Sequence, residues 1–402
     1  MPHAATPDPV PHAATPDPVP HAATPGPVPH TATPGPVPHA ATPDIAPLLA
    51  LAEDARQAGR PLEAAAGLRA LAALVPGDPG IRAALARALF QAGLWNEAWA
   101  AYEVRFDLLP SAFPRVTRLG PDGPMPLPPW RGQGSPAAVL VMGEQGLGDT
   151  IQFARYLPLL AARGLRVHAV LDARLHALLA PVTGGIDLRP SSAPGSVPGV
   201  RAWLPLMDLP RALGLAPQHY QGRIPYLAAE RERVARLRGR IGTGGLRVGI
   251  VWQGNPAAPV DANRSVPLAA FAPLAAVPGV QLFALQKGPG EEQQAAFPLD
   301  RLGPELDGGG DWFLDTAAAI EALDLVVTVD TAVLHLAGAL GRPALMLMHG
   351  RHADWRWLHA QDVPIWYPSV RLVRCPDASA DWRGAVARAA FLVRTGNLPP
   401  AA

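Results

Sequence analysis

Apolar and polar positions divide the chain into regimes of different period. Over residues 45–112 apolar residues recur at helical spacing, and a period of 34 runs through the segment: Gly59 matches Gly93, Ala64 matches Ala98 and Pro76 matches Pro110. Each copy predicts a pair of helices, with Gly ending the first, Ala where the second packs closely and Pro closing the second. Residues 113–135, SAFPRVTRLGPDGPMPLPPWRGQGS in part, are rich in Pro and Gly, break the helical pattern and predict a linker. From residue 136 short apolar runs alternate with amphipathic segments, a pattern of parallel strands covered by helices. The first series is AAVLVM, a helix from about Asp149, LRVHAVL, a short helix, and VRAWLPL. The second is LRVGIVW, a helix near 268–276, VQLFALQ, a helix near 315–322, DLVVTVD, a helix near 331–340, and PALMLM. Two such series predict two Rossmann-like lobes, over 136–232 and 233–402, with a cleft between them.

Residues 2–44 follow a different rule. They repeat the unit PHAATPDPV from Pro2, Pro11, Pro20, Pro29 and Pro38. Prolines at this density fix φ and remove amide donors, so the arm over 1–44 is expected to be disordered or polyproline II-like, without a core. Its histidines (His3, His12, His21, His30 and His39) are nine residues apart on unordered chain and read as part of a solvated spacer.

Composition narrows the classes. The chain of 402 residues is 49% hydrophobic and 17% charged with a formal charge of +1, which excludes charge-driven disorder and a strongly basic nucleic-acid binder. Lys287 is the sole lysine among 34 basic residues, so arginine counts carry little functional information. Cys375 is the sole cysteine, which excludes a disulfide framework and a cysteine-based metal cluster and suits a reducing compartment. No stretch gives about 18 uninterrupted apolar residues. A soluble, cytoplasmic protein without a membrane span is expected.

In a parallel sheet the ligand crevice lies beyond the carboxyl ends of the strands, which singles out four places. After AAVLVM comes GEQGLGDT, where Gly143, Gly146 and Gly148 let the backbone approach a ligand and Asp149 stands near a helix start. The spacing is G-x-x-G-x-G, not the G-x-G-x-x-G of a dinucleotide turn, and Asp172 at the end of the second strand alone speaks for a dinucleotide. Asp149 reads equally as a helix cap. After LRVGIVW, Arg264 precedes a helix and is either a phosphate ligand or a surface arginine. Lys287 follows VQLFALQ. After DLVVTVD, Asp330 and Thr331 open a helix whose free amides suit a diphosphate, although Thr331 reads equally as an N-cap and His335 as a packed residue.

The period of 34 is similar to that of tetratricopeptide repeats. Two repeats are fewer than usually stand alone, so they are expected to dock on the next domain. The ordered blocks GEQGLGDTIQFARYLPLL (143–160), GIVWQGN with DANRSVPL (249–268), LQKGPGEEQ (285–293), DTAAAIEALDLVVTVDTAVLHLAGALGRP (315–343) and DWRW (354–357) resemble the heptosyltransferase-like glycosyltransferases of GT-B fold, in particular those fused to tetratricopeptide repeats. The resemblance implies transfer of a sugar from a nucleotide-sugar donor to a hydroxyl acceptor, with an acceptor-side first lobe and a donor-side second lobe. It implies Asp149 as general base, Arg264 at the donor phosphate where the heptosyltransferases usually carry Lys, and Asp330, Thr331 and Ala332 holding donor sugar and diphosphate, with Ala332 where Gly is often found. Lys287 joins the donor side, and Gly146 and Gly148 form the glycine loop. Inverting, metal-independent displacement without a cofactor is implied, with a protein or glycan acceptor bound through the repeats, and a C-terminal helix (about 382–394) that crosses back to the first lobe. A non-catalytic adaptor with a degenerate nucleotide-sugar module and a nicotinamide-dependent oxidoreductase are the competing readings.

Overall fold

In the computed structural model, the described residues are 45–402 apart from 109–115, 121–122, 128, 193–196, 198, 217–223, 259, 311, 352–353, 359–360 and 377–378. The proline-rich arm over 1–44 lies outside them.

Helices α1 (Ala46–Gln57), α2 (Pro61–Leu74), α3 (Pro79–Gln91) and α4 (Trp95–Tyr102) pack as two successive hairpins, followed by the short α5 (Arg105–Leu108). Gly59 and Gly93 take φ of 75° and 73°, where a side chain would be strained, and so stop α1 and α3 at matching places. Ala64 and Ala98 are fully buried at the close contacts of α2 and α4, as their period predicts. Asp78 caps α3 by accepting from the Ile81 amide at 2.9 Å.

The expected linker is more than a tether. It carries an antiparallel hairpin of β1 (Thr117–Gly120) and β2 (Gly123–Pro126), and beyond it Trp130 donates its amide to the Trp203 carbonyl while the Trp203 indole donates to the Leu127 carbonyl. Proline density removed the apolar signal for these strands but left backbone groups free to pair.

The first lobe holds β3 (Ala138–Met142), α6 (Leu147–Ala154), α7 (Leu157–Ala162), β4 (Arg166–Leu171), α8 (His176–Leu179), β5 (Asp187–Pro190), β6 (Ala202–Pro205) and α9 (Leu209–Leu213). Its parallel sheet has the order β5-β4-β3-β6. The second lobe holds α10 (Arg231–Ile241), β7 (Leu246–Val251), α11 (Ala272–Ala275), β8 (Val280–Ala284), β9 (Asp300–Arg301), α12 (Leu314–Ala322), β10 (Leu325–Thr328), α13 (Ala332–Ala339), β11 (Ala344–Met348), β12 (Val370–Arg374) and α14 (Trp382–Arg394). Its parallel sheet runs β12-β11-β10-β7-β8-β9. Two parallel sheets with helices are thus present, as the alternating pattern predicts. The chain reverses direction across each sheet beside β3 and β7, the places where a crevice opens.

Two details differ from expectation. Tyr226 and Leu227 already donate their amides to the Ala339 carbonyl at the end of α13, so the chain reaches the second lobe before residue 232. Helix α14 packs on α11, β11 and β12 and buries Val386, Ala389 and Val393 there; its apolar stripe is used up on its own lobe rather than on the first.

One apolar core runs from the helical hairpins through the first lobe to the near side of the second sheet, and a separate core under α11 and α14 fills that sheet's far side. Among the described residues no helix is long and apolar enough to cross a membrane.

Candidate functional site

The turn after β3 is held from below by the helical hairpins. Arg105 of α5 donates to both oxygens of Glu144, at 2.9 and 3.1 Å, and to Asp208 at 2.7 Å, and all three side chains are buried. Burial pushes the carboxyls of Glu144 and Asp208 up, and the Arg105 guanidinium opposes that rise. Gln145, in the left-handed region at φ 60°, donates to the Tyr102 hydroxyl at 2.6 Å. None of these contacts has a signal in the sequence, because a buried ion pair leaves no periodicity.

Gly146 precedes α6 and donates its amide to Asp149 Oδ2 at 2.8 Å, so the capping role open to Asp149 is one that it performs. Its other oxygen accepts from Arg356. A side chain on Gly148 would meet His335 at 2.8 Å and the Ala332 Cα at 3.3 Å. The bareness of Gly148 therefore serves the approach of α6 to α13 across the lobes, and the residue also lines the cavity between them.

On the second lobe, Arg264 donates to the Asp330 carbonyl at 3.1 Å and pairs with Asp261 at 3.2 Å. Lys287 donates to the Leu306 carbonyl at 2.8 Å and lies 3.3 Å from Asp307. Asp330 accepts from the Trp357 indole at 2.9 Å, and its pKa is raised to about 6 by burial, with Asp354 adding to the rise. Thr331 does not cap α13 with its side chain; its hydroxyl meets that of Thr328 at 3.2 Å. His335 is buried between Trp357 and Tyr367, bonded to the Tyr367 hydroxyl at 3.1 Å, and burial holds its pKa well below the usual range. It is a neutral packed residue, the plainer of its two readings.

The segment DWRW joins three parts of the molecule through consecutive residues. Trp355 stacks on Phe90 of α3, centroids 4.2 Å apart, with Trp95, Trp99 and Tyr102 around it. Arg356, buried, reaches Asp149, Gln152 at 2.8 Å and Asp354 at 2.8 Å. Trp357 holds Asp330.

These elements enclose one cavity of about 1120 Å³ at the carboxyl ends of both sheets. It brings together Gly146, Gly148 and Asp149 from the first lobe with Arg264, Lys287, Asp330, Thr331 and Ala332 from the second, and adds Arg56 and Arg87 of the helical hairpins, which sequence reasoning missed amid the abundance of arginine. Trp312 also lines it and bridges the cleft, with the Arg174 guanidinium 5.2 Å and the Lys287 ammonium 5.8 Å from its ring. Asp172, the residue that spoke for a dinucleotide, lines the cavity and is engaged at both oxygens by Arg174. Among the described residues no cluster of His, Cys, Asp and Glu is arranged to hold a metal.

No family model matches the chain. It is 30% identical over 326 residues to the protein FlbA of Caulobacter vibrioides, an alignment that takes in 74% of this chain and 52% of that protein. The chain therefore spans about half the length of the curated relative that it matches. Among solved structures it is similar to the ADP-heptose lipopolysaccharide heptosyltransferase II of E. coli, with 14% identity, a TM-score of 0.39, and coverage of 64% of this chain and 99% of that one. It is similar also to the iron-containing dodecameric heptosyltransferase TibC of enterotoxigenic E. coli in complex with ADP-D-beta-D-heptose, with 13% identity, a TM-score of 0.42 and coverage of 71% and 84%. A family 9 glycosyl transferase from Veillonella parvula gives 14% identity, a TM-score of 0.40 and coverage of 60% and 87%. None of these TM-scores reaches 0.5, so the chemistry of the site rests on its own residues.

Proposed function

We propose that the chain is a glycosyltransferase that moves a sugar from a nucleotide-diphosphate sugar to a hydroxyl acceptor, a protein or glycan precursor, by metal-independent displacement with inversion. The observation that carries this reading is the composition of the cavity between the sheets. A carboxylate on one lobe faces an anion-binding helix start and two cations on the other. The amides of Thr331, Ala332 and Val333 at the head of α13 suit a diphosphate, and Arg264, tethered to the Asp330 carbonyl, stands beside them. These groups and Lys287 supply the positive charge that would otherwise fall to a metal.

In this mechanism Asp149 accepts the proton of the acceptor hydroxyl. The oxygen forms its bond to the anomeric carbon from the face opposite the leaving group. The bond from that carbon to the diphosphate oxygen breaks, and its electron pair departs with the nucleoside diphosphate, stabilised by the α13 amides and Arg264. The two helical hairpins are proposed to be tetratricopeptide-like repeats that present the acceptor.

Two contacts favour a second reading, the non-catalytic adaptor: both oxygens of Asp149 are engaged, by Arg356 and by the Gly146 amide. Catalysis requires the acceptor to reach a remaining lone pair or Arg356 to swing toward Asp354. Release of nucleoside diphosphate from a panel of nucleotide sugars separates the readings. The enzyme releases it, and Asp149→Ala stops release while donor still binds; the adaptor releases none from any donor, and unchanged release by Asp149→Ala removes Asp149 from the mechanism.

A further inference from the structure

The first helical hairpin carries an apolar outer face. Leu48 and Leu51 of α1 are 46% and 65% exposed, and Leu62 and Leu74 of α2 are 62% and 61% exposed. Arrays of helical repeats close with a terminal unit whose outer face is polar, because an apolar one is poorly soluble, and exposed apolar patches mark binding surfaces. Helix α1 does not follow that rule. Its exposed stripe is Pro47, Ala50, Leu51, Asp54 and Ala58, one helical face with a single charge on it.

The period of 34 identifies what such a face fits. Ala52 and Ala55 of α1 correspond to Ala86 and Leu89 of α3, and all four are buried. Pro47, Ala50, Leu51 and Asp54 correspond to Ile81, Ala84, Leu85 and Ala88, which are buried or half-buried on α3 although their counterparts on α1 are exposed. The two copies differ in their neighbours: α3 has α2 packed beside it as well as its own hairpin partner α4, and among the described residues α1 has no counterpart to that extra helix. We propose that the outer face of α1 is a seat for a helical hairpin of a partner protein, one helix of which packs on α1 as α2 packs on α3. The chemistry of the occupant follows from that of α2, whose buried stripe is Ala64, Ala65, Leu68 and Leu71: an amphipathic helix with alanine and leucine at that spacing. Asp54 stands where α3 has Ala88 and brings a carboxylate to the seat, so a basic residue of the occupant belongs opposite it. A second copy of this chain does not supply such a helix, because its own α2 stripe is buried within its hairpins. The assignment is independent of the transferase reading, which concerns the cavity between the sheets.

The test repeats residues 45–78 directly before Ile45 in the full chain, so that the added copy of α2 leads into the original α1 at the spacing at which α2 leads into α3. Amide hydrogen exchange in the original α1 should slow by about tenfold or more, and Leu51→Glu in the original copy should remove that slowing. In the chain without the added copy, Leu51→Glu should leave both the exchange of α1 and the melting transition unchanged, since the side chain is exposed. Exchange that does not slow, or slowing that survives Leu51→Glu, overturns the proposal. Sedimentation of the parent and of Leu51→Glu separates a partner from a second copy: the two should behave alike, and a parent oligomer dispersed by Leu51→Glu overturns the proposal in favour of self-association.

Discussion

At the residue scale, the two carboxylates that line the cavity from opposite lobes are held in different ways. Asp149 is held by the start of its own helix and by Arg356, and Asp149→Asn keeps most of that geometry while removing proton acceptance. Turnover should fall by roughly 10²- to 10⁴-fold with donor affinity within about twofold of the parent, as read from initial rates and donor titration. Asp330, half-buried as Asp149 is, has its pKa raised from 3.8 to about 6 by desolvation and the nearby Asp354. Its folded pKa lies above its unfolded value, so the folded state binds the proton more tightly; the stabilising contribution is full below about pH 4 and is lost as pH rises through about 6. Asp330→Asn should therefore gain in melting temperature over the parent as pH rises from about 4 to about 6, hold that gain above 6 and show little gain near pH 4, whereas a pH-independent difference would contradict the assignment. Asp149, Arg264 and Asp330 were visible in sequence because each follows an apolar strand. Arg87 and Arg356 were not, because one arginine among many on a helix or in a loop carries no local mark of what it faces.

At the scale of elements, the DWRW segment ties the helical hairpins to both lobes, and its first tryptophan has the largest mechanical role. Trp355 fills a pocket of Phe90, Trp95, Trp99 and Tyr102. Trp355→Ala should lower stability by about 3–5 kcal/mol in urea unfolding and also weaken donor binding through the release of Arg356 and Trp357, whereas Trp355→Phe should recover much of both. A loss of stability with donor affinity intact would show that the segment packs but does not position. The contact of α6 with α13 is the other joint. Gly148→Ala places a methyl 2.8 Å from the buried His335 ring, so the α6–α13 contact must shift, and donor affinity should drop. Elements with an apolar run were legible in the sequence: β3, β4, β6, β7, β8, β10 and β11. The short β5 and β9, of DLRP and DR, carry no such run, and α10, RERVARLRGRI, presents so few apolar positions that its helical period is faint. DWRW was visible as a motif, but its role depends on residues more than 200 positions away, such as Asp149, and on the α3 face.

At the scale of the molecule, the helical hairpins and the lobes share one core, and a buried charge cluster fastens them. Arg105 satisfies Glu144 and Asp208, and removing it leaves two buried carboxylates without their cation. Arg105→Met should cost about 3–5 kcal/mol, seen as a lower melting temperature for the whole chain in a single transition rather than for the hairpins alone. Two parallel sheets, a cleft between them and hairpins docked on the next domain were expected from the pattern; the charge and aromatic pairs that make the joint were not, because long-range pairing of charges and aromatic faces is set by the fold and not by neighbours in sequence. The most direct measurement is a thermal-shift titration of the parent, Asp149→Asn and Arg264→Ala with ADP-, UDP-, GDP-, CMP- and dTDP-linked sugars, since a ligand bound only by the native state raises the midpoint by mass action. The proposed transferase predicts a shift with one nucleotide class, kept in Asp149→Asn and lost or weakened by about tenfold or more in Arg264→Ala. No shift with any donor, or a shift indifferent to Arg264, would contradict it.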